Sequence, residues 1–162
     1  MIDYVKGALL ESPAVALVNT VNTVGVMGKG IALQFKKAFP HNFEVYREAC
    51  RTGQLNTGKI LAVTDRNLLY GDKLILNLPT KTHWRLPSKY DYIAAGLVVL
   101  RNYLSIHQVA SVAIPALGCG NGGLDWLKVK LMIGDALGDI EIPVWVSTLS
   151  FIFIMFYSPQ PA

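Results

Sequence analysis

The feature of this sequence that most restricts its fold is an arrangement that occurs twice, in which an apolar strand leads into a glycine-rich loop and then a helix. In the first copy, residues 15–19 lead into the glycine-rich segment 25–30. In the second copy, residues 112–115 lead into segment 118–123. Glycines at such a turn let backbone N–H groups surround an anion, and the helix N-terminus adds partial positive charge. Two such loops side by side predict a clamp for a diphosphate.

The glycine spacing also has other interpretations. The second loop matches G-x-G-x-x-G, but dinucleotide-binding folds carry that fingerprint in their first strand–helix–strand unit, whereas here it comes near residue 120. A P-loop requires G-x-x-x-x-G-K-[ST], which segment 25–30 does not supply. Either loop alone is compatible with a simple tight turn. The repetition of the arrangement favours phosphate binding.

The rest of the chain predicts a single α/β domain. Its 162 residues match the size of one domain, and 52% apolar with 16% charged residues exclude a disordered chain. Apolar, β-branched runs alternate with helical stretches, which is the pattern of α/β layer proteins. We predict strands at residues 2–5, 14–19, 60–64, 74–78, 111–115, 143–147 and 151–157. We predict helices at residues 31–39, 42–51, 88–103 and 125–137, with Asn42, Ser88 and Asp125 or a neighbour as N-caps.

Charge and cysteine content narrow the class of protein further. The net charge of +4 suits phosphate-bearing partners without requiring them. Two cysteines and three scattered histidines exclude a disulfide scaffold and a Cys/His zinc site, so we expect a reducing compartment, the cytoplasm. We expect no secretory signal at the N-terminus. The apolar segment 142–157 is shorter than the roughly 20 residues of a spanning helix, so we expect no membrane insertion.

At the two glycine loops the sequence resembles the macrodomain family, whose α/β/α fold binds ADP-ribose. The similarity is carried by VKGALLESPAVALVNTVN, GVMGKGIALQFKKAFP and PALGCGNGGLDW, and it extends over nearly the whole chain. GVMGKGIA and LPTKTHWR are similar to the branch that contains the DarG antitoxin macrodomain and the terminal ADP-ribose protein-glutamate glycohydrolases. The resemblance implies a three-layer α/β/α fold with a central mixed sheet, as a single macrodomain over residues 1–162.

The resemblance also implies a function. DarG-type enzymes remove the ADP-ribose that the DarT toxin attaches to thymidine in single-stranded DNA, so we expect an ADP-ribosyl glycohydrolase that needs neither metal nor cofactor. The implied partners are ADP-ribose, ADP-ribosylated single-stranded DNA and a DarT-type toxin, and we expect a monomer. Two alternatives stay open: a hydrolase of protein glutamate-linked mono-ADP-ribose, and a module that binds ADP-ribose without turnover.

The residues implied by the resemblance lie in and around the two loops. Lys81 corresponds to the catalytic lysine of the branch, Asp125 to a proposed acid/base, and Asn22 to a residue that reaches the hydroxyls of the distal ribose. Backbone donors of segment 118–123 correspond to those that hold the diphosphate. The ligand-binding residues are Gly25, Met27, Gly28, Gly30, Ile31, Pro115, Gly118, Cys119, Gly120, Asn121, Gly122, Gly123 and Leu124.

These residue types fit the cleavage of a glycosidic bond. Breaking the bond at the anomeric carbon builds positive charge on the ribose and negative charge on the leaving group. A deprotonated Lys81 attacks that carbon and forms a covalent sugar adduct, whereas a protonated one stabilises or protonates the leaving base. Asp125, at a helix start, is able to take a hydroxyl proton and open the ribose ring.

Several of these residues also have a purely structural interpretation. Lysines after strands are usually solvated, Asp before a helix is usually an N-cap, and Asn22 is able to hydrogen-bond its own turn. His83 and Trp84 either stack a base or belong to the core. No histidine is placed to activate Cys119, so we interpret this thiol as a small filler.

Two further observations concern the substrate. A set of basic residues falls in segments that the fold would bring near the cleft, where they either follow a DNA backbone or form a solvated face: Lys29, Lys36, Lys37, Lys81, His83, Arg85 and Lys89. Ala8 stands where the family usually has Asp or Asn to accept from the adenine amino group, so the resemblance predicts no adenine contact from this side chain.

Overall fold

The structure, a computed structural model, describes residues 1–148 of the chain. Six strands form one mixed sheet in the order β1-β6-β5-β2-β4-β3. The strands are β1 (Ile2–Val5), β2 (Ala16–Val21), β3 (Leu61–Asn67), β4 (Gly71–Pro79), β5 (Val112–Ile114) and β6 (Val144–Ser147). The helices are α1 (Gly30–Ala38), α2 (Pro40–Arg51), α3 (Tyr90–Ile106) and α4 (Trp126–Leu137). All neighbouring strands run parallel except the antiparallel pair β3–β4.

Alternate residues of the central strands face two separate helical layers. Leu17 of β2 packs with Phe35 and Phe39 beside α1. Its neighbours Ala16 and Val18 belong to the larger core cluster under α3 and α4. Because helices cover both faces, β5 is apolar throughout, as the sequence predicted for several strands, whereas β2 and β4 contain the buried Asn19 and Asn77. The result is the expected three-layer arrangement.

The edge hairpin β3–β4 is longer than the sequence predicted. Antiparallel pairing continues past the apolar residues into polar ones, where Arg66 lies opposite Asp72. Their side chains form an ion pair with 2.6 Å between N and O. Because cross-strand pairing stabilises these polar residues, apolar alternation alone underestimates the length of both strands.

Two predicted N-caps are wrong. Helix α2 begins at Pro40, whose fixed φ suits the first helical turn, and Asn42 inside that helix is buried with its side chain bonded to Asn77. Helix α3 begins at Tyr90, so Ser88 lies before the helix rather than at its cap. The third cap is confirmed, since Asp125 accepts from the backbone N–H of Lys128 at 3.2 Å.

The apolar C-terminal segment is only partly described. The predicted strand at residues 151–157 lies outside residues 1–148. Over those described residues, none of the helices combines the length and the hydropathy that a membrane crossing requires.

Candidate functional site

A cleft of about 570 Å³ opens between the two glycine-rich loops. It lies where the parallel strands β2, β4 and β5 end, because residues that end or follow each of these strands line it. In open α/β sheets the carboxyl ends of parallel strands are the usual location of ligand sites. The topology therefore brings both loops and the segment after β4 to one edge of the sheet.

The charged side chains that line the cleft are basic. In the part of the chain that the structure describes, two lysines, Lys29 and Lys81, line the cleft and no Asp or Glu does. Exposed backbone N–H groups of glycine loops add to this positive potential. The cleft is therefore suited to an anionic ligand.

Asn22 is 7% exposed and makes the side-chain hydrogen bonds that hold the first loop. Its Oδ1 accepts from the backbone N–H groups of Val24 (3.1 Å) and Val26 (3.3 Å), and its Nδ2 donates to the Val26 carbonyl at 2.7 Å. The hydroxyl of Tyr46 also donates to Asn22 Oδ1 at 2.9 Å. Burial raises the pKa of Tyr46, so its hydroxyl remains a donor. Asn22 thus holds its own turn, as one of the two interpretations of the sequence expected, and it also lines the cleft.

The second loop is tightly folded against the start of α3. A Cβ on Gly122 would lie 2.2 Å from the Gly118 carbonyl oxygen and 2.3 Å from Ser88 Oγ. The backbone N–H of Ser88 donates to the Gly122 carbonyl at 3.0 Å. Gly118 has φ +69°, a conformation that L side chains rarely adopt. Glycine is therefore required at both positions for the loop to close.

Lys81 connects the segment after β4 to this second loop. Its Nζ donates to the Asn121 backbone carbonyl, with 2.8 Å between the atoms. Burial and then the nearby charge of Lys29 lower the pKa of Lys81. Both effects disfavour the ammonium form and increase the fraction of free amine at a given pH.

Cys119 supplies the only thiol among the described residues that line the cleft. Burial, and after it the charge of Asp125, raises the pKa of Cys119 to about 11. A thiol with that pKa carries very little thiolate near neutral pH, so its environment does not activate it as a nucleophile. Within residues 1–148, no group of three His, Cys, Asp or Glu side chains is placed to hold a metal ion.

Comparison with known proteins identifies the family. Residues 18–133 match the family described as Macro domain. The chain belongs to the macrodomain family. Its relatives include the DNA ADP-ribosyl glycohydrolase of Thermus aquaticus, 52% identical over 90% of this chain and 41% of that protein. The protein of the same name from Mycobacterium tuberculosis is 50% identical over 90% of this chain and 42% of that protein.

Solved macrodomain structures confirm the fold. The macrodomain of Mycobacterium tuberculosis DarG matches with a TM-score of 0.88 and 48% identity, over 93% of this chain and 99% of that one. Thermosipho africanus DarTG in complex with ADP-ribose matches with a TM-score of 0.85 and 32% identity, over 93% of this chain and 43% of that one. This macrodomain spans about two fifths of the length of the Thermus and Mycobacterium glycohydrolases.

Most of the predicted site residues line the macrodomain cleft. From the first loop and the segment after β4 these are Asn22, Gly28, Gly30, Ile31 and Lys81. From the second loop they are Pro115, Gly118, Cys119, Gly120, Asn121 and Gly122. The structure thus brings together the two loops and the lysine that the sequence singled out, while their roles toward a ligand stay predictions.

Five predicted site residues do not line the cleft. Met27 is 1% exposed and packs in the core with Tyr46, and Gly25 lies against Cys50 of α2. Leu124 packs in the core cluster under α4, and Asp125 caps that helix. The remaining one is Gly123, which is exposed.

Some residues that line the cleft were not predicted from the sequence. Thr20, Thr80 and Ala116 lie at or just after the carboxyl ends of their strands, so the expected strand edge was a signal that pointed to them. Ser88, interpreted from sequence only as a cap, lines the cleft with its buried Oγ unpartnered. No local pattern distinguishes it, because its place depends on the second loop folding back onto it.

Ala8 lies apart from this cleft. It lines a second, smaller cleft of about 300 Å³ beside the end of β6. A methyl group accepts no hydrogen bond, so Ala8 cannot supply the acceptor that the family usually has at this position.

Proposed function

We propose that this macrodomain is an ADP-ribosyl glycohydrolase that releases ADP-ribose from thymidine in single-stranded DNA. The names of the relatives in Thermus and Mycobacterium support this activity. The solved structure of Thermosipho africanus DarTG is a complex with ADP-ribose, which supports ADP-ribose as the ligand of this chain. We also propose that residues 1–162 form one macrodomain and that this macrodomain is a monomer. Sedimentation velocity tests the monomeric state.

One observation carries the proposal: the amine of Lys81 lies in a cleft to whose lining residues 1–148 contribute no Asp or Glu. A diphosphate bound by the two glycine loops would meet backbone N–H groups, Lys29 and Lys81, with no negative side chain to repel it. Among the lining side chains, Lys81 is the group whose pKa is shifted toward the nucleophilic form. The lowered pKa favours the free amine, which is the form that the proposed reaction uses.

The chemistry follows from that amine. The electron pair of Lys81 Nζ forms a bond to the anomeric carbon as the bond from this carbon to the base breaks, and the base leaves with its electron pair and takes a proton. Water then hydrolyses the sugar adduct, releases ADP-ribose and returns the free amine. Asp125 is proposed as the acid/base that takes the ribose hydroxyl proton, and Asn22 as the residue that reaches the ribose hydroxyls.

The deciding experiment offers two substrates to the same preparation. One is a single-stranded oligonucleotide with ADP-ribose on thymidine, and the other is a protein with ADP-ribose on glutamate. Release of ADP-ribose from the oligonucleotide supports the proposal. Release from the protein alone identifies the glutamate-linked hydrolase instead, and calorimetric binding of ADP-ribose without release from either identifies a non-catalytic module.

A DarT-type toxin is the proposed partner. The name of the Thermosipho relative joins a DNA ADP-ribosyl transferase and a DNA ADP-ribosyl glycohydrolase in one fusion protein, which supports this pairing. Co-expression with a DarT-type transferase in bacteria is the test. Growth should be restored by the wild-type chain and not by Lys81→Ala.

A further inference from the structure

Next to Lys81, at the mouth of the cleft, His83, Trp84 and Arg85 form a surface that we name the 83–85 platform. Trp84 lines the cleft and its side chain is 44% exposed, so it does not belong to the core. The His83 ring stacks near it, with 5.3 Å between ring centroids and an interplanar angle of 29°. The Arg85 guanidinium lies 4.5 Å from the centroid of the indole.

Hydrogen bonds hold the platform in one conformation. The backbone N–H of Arg85 donates to His83 Nδ1 at 3.1 Å, and that of Leu86 donates to the His83 carbonyl at 3.1 Å. Thr23 of the first loop donates through its hydroxyl to the Thr82 carbonyl at 2.8 Å. An aromatic surface that is already ordered loses less conformational entropy when a ligand stacks on it.

The charge around the platform is positive. Residues 80–90 contain Lys81, Arg85 and Lys89 and no Asp or Glu. Lys29 approaches from the other wall of the cleft, close enough for its charge to act on Lys81. An exposed indole flanked by cations is the combination that single-stranded nucleic acids bind, because every base has a stacking face and every linkage carries a phosphate.

We infer that the 83–85 platform binds the DNA strand beside the modified nucleotide, with an unpaired base stacked on Trp84 and backbone phosphates near Arg85 and Lys89. This inference rests on the proposed function and extends it, since it assigns the recognition of the DNA to residues outside the two glycine loops. In a duplex the bases are already stacked on one another, so the platform selects single strands.

The test uses an unmodified, fluorescein-labelled oligothymidylate of about 12 nucleotides, followed by fluorescence anisotropy. Trp84→Ala should weaken its binding about tenfold, as expected for the loss of one stacked base. Trp84→Phe keeps an aromatic face and should stay within about threefold of wild type. Binding of a duplex of the same length should change less than about twofold in Trp84→Ala, since no unpaired base is present.

A second variant measures how much positive charge near the platform contributes to DNA binding. Lys89→Ala should weaken single-strand and duplex binding alike and should reduce the slope of log affinity against log salt by about 1. Thermal unfolding of each variant establishes that it is folded. A wild-type chain that does not bind the oligothymidylate, or a folded Trp84→Ala variant that binds it as wild type does, overturns the inference.

A calorimetric titration with free ADP-ribose keeps this inference distinct from the proposed function. Because Trp84 also lines the cleft, Trp84→Ala should weaken ADP-ribose binding by less than it weakens oligothymidylate binding, and an equal loss toward both ligands would assign Trp84 to the ADP-ribose site and overturn the platform. Because the oligothymidylate carries no ADP-ribose, its binding does not depend on hydrolysis. A wild-type chain that binds it through Trp84 but releases no ADP-ribose from DNA refutes the proposed function while supporting the platform.

Discussion

The amine of Lys81 donates a hydrogen bond to the backbone carbonyl of Asn121, with 2.8 Å between nitrogen and oxygen. These residues are 40 positions apart in the chain, and their bond joins the segment after β4 to the second glycine loop. The carbonyl acceptor holds the amine at the cleft and carries no charge. A carboxylate partner, in contrast, would neutralise the positive charge of the ammonium form. The geometry therefore places the amine at the cleft and leaves its pKa under the control of burial and of Lys29.

Replacing Lys81 by alanine should separate binding from turnover. We expect Lys81→Ala to lower the rate of ADP-ribose release from modified DNA by at least about 10³-fold, because the substitution removes the amine that is proposed to attack the anomeric carbon. The affinity for ADP-ribose should fall by less than about tenfold, since the loops retain their backbone donors. Single-turnover release and calorimetry are the measurements. The exposed Lys59→Ala is the control and should match wild type, and substantial residual release by Lys81→Ala would contradict the mechanism.

Removing the charge of Lys29 should move the pH profile. Burial and Lys29 both lower the pKa of Lys81, so Lys29→Gln should return this pKa toward its usual value of 10.5. A higher pKa leaves less free amine at neutral pH, so the rising limb of the rate against pH should shift to higher pH. Release at saturating substrate over a range of pH is the measurement. Lys29→Arg keeps the charge and should keep the wild-type profile, whereas a rate that falls with rising pH, with this falling limb moved to higher pH in Lys29→Gln, would identify the ammonium as the reacting form.

A methyl group at Gly122 should damage the second loop. Its Cβ would lie 2.2 Å from the Gly118 carbonyl oxygen, which belongs to the backbone and cannot rotate away. We expect Gly122→Ala to lower the free energy of unfolding by about 1–3 kcal/mol, as other overpacking substitutions do, and to weaken ADP-ribose binding. Urea unfolding and calorimetry measure these two effects.

The matched control lies two residues earlier in the same loop. A Cβ on Gly120 would have no heavy atom within 4 Å, and Gly120 does not have positive φ. Gly120→Ala should therefore leave the free energy of unfolding within about 0.5 kcal/mol of wild type. Equal destabilisation by both substitutions would show that the contact to Gly118 is not what requires glycine at position 122.

Asp125 has two candidate roles that one substitution separates. Asp125→Asn keeps an oxygen that accepts from the Lys128 N–H, so the cap and the free energy of unfolding should be retained within about 0.5 kcal/mol. If Asp125 also acts as the acid/base, release of ADP-ribose should fall by at least about 10²-fold, because an amide takes no proton. Unchanged release would leave Asp125 only the capping role. Asp125→Ala removes both functions and should in addition cost about 1 kcal/mol of stability.

The large elements and the two loops could be predicted from local patterns. Apolar, β-branched runs indicated the central strands, and glycine spacing indicated where the chain turns from strand to helix. The N-termini of α2 and α3 were predicted wrongly at Asn42 and Ser88, because both side chains make tertiary contacts and do not cap a helix. Asn42 bonds to Asn77 of β4, and Ser88 lies under Gly122. A capping preference is worth about 1 kcal/mol, which buried hydrogen bonds and loop packing readily outweigh.

The sequence by itself determined the α/β class, the pair of glycine-rich loops and a lysine close to them, because each depends on residues that are near one another along the chain. Only the tertiary structure decided which loop residues face the cleft: it buried Met27 in the core and packed the half-buried Leu124 against the core, and it brought Lys81 to Asn121 and Trp84 to the cleft mouth. Those contacts depend on the strand order β5-β2-β4. That order is set by how distant apolar surfaces pack together, and no local pattern of residues records it.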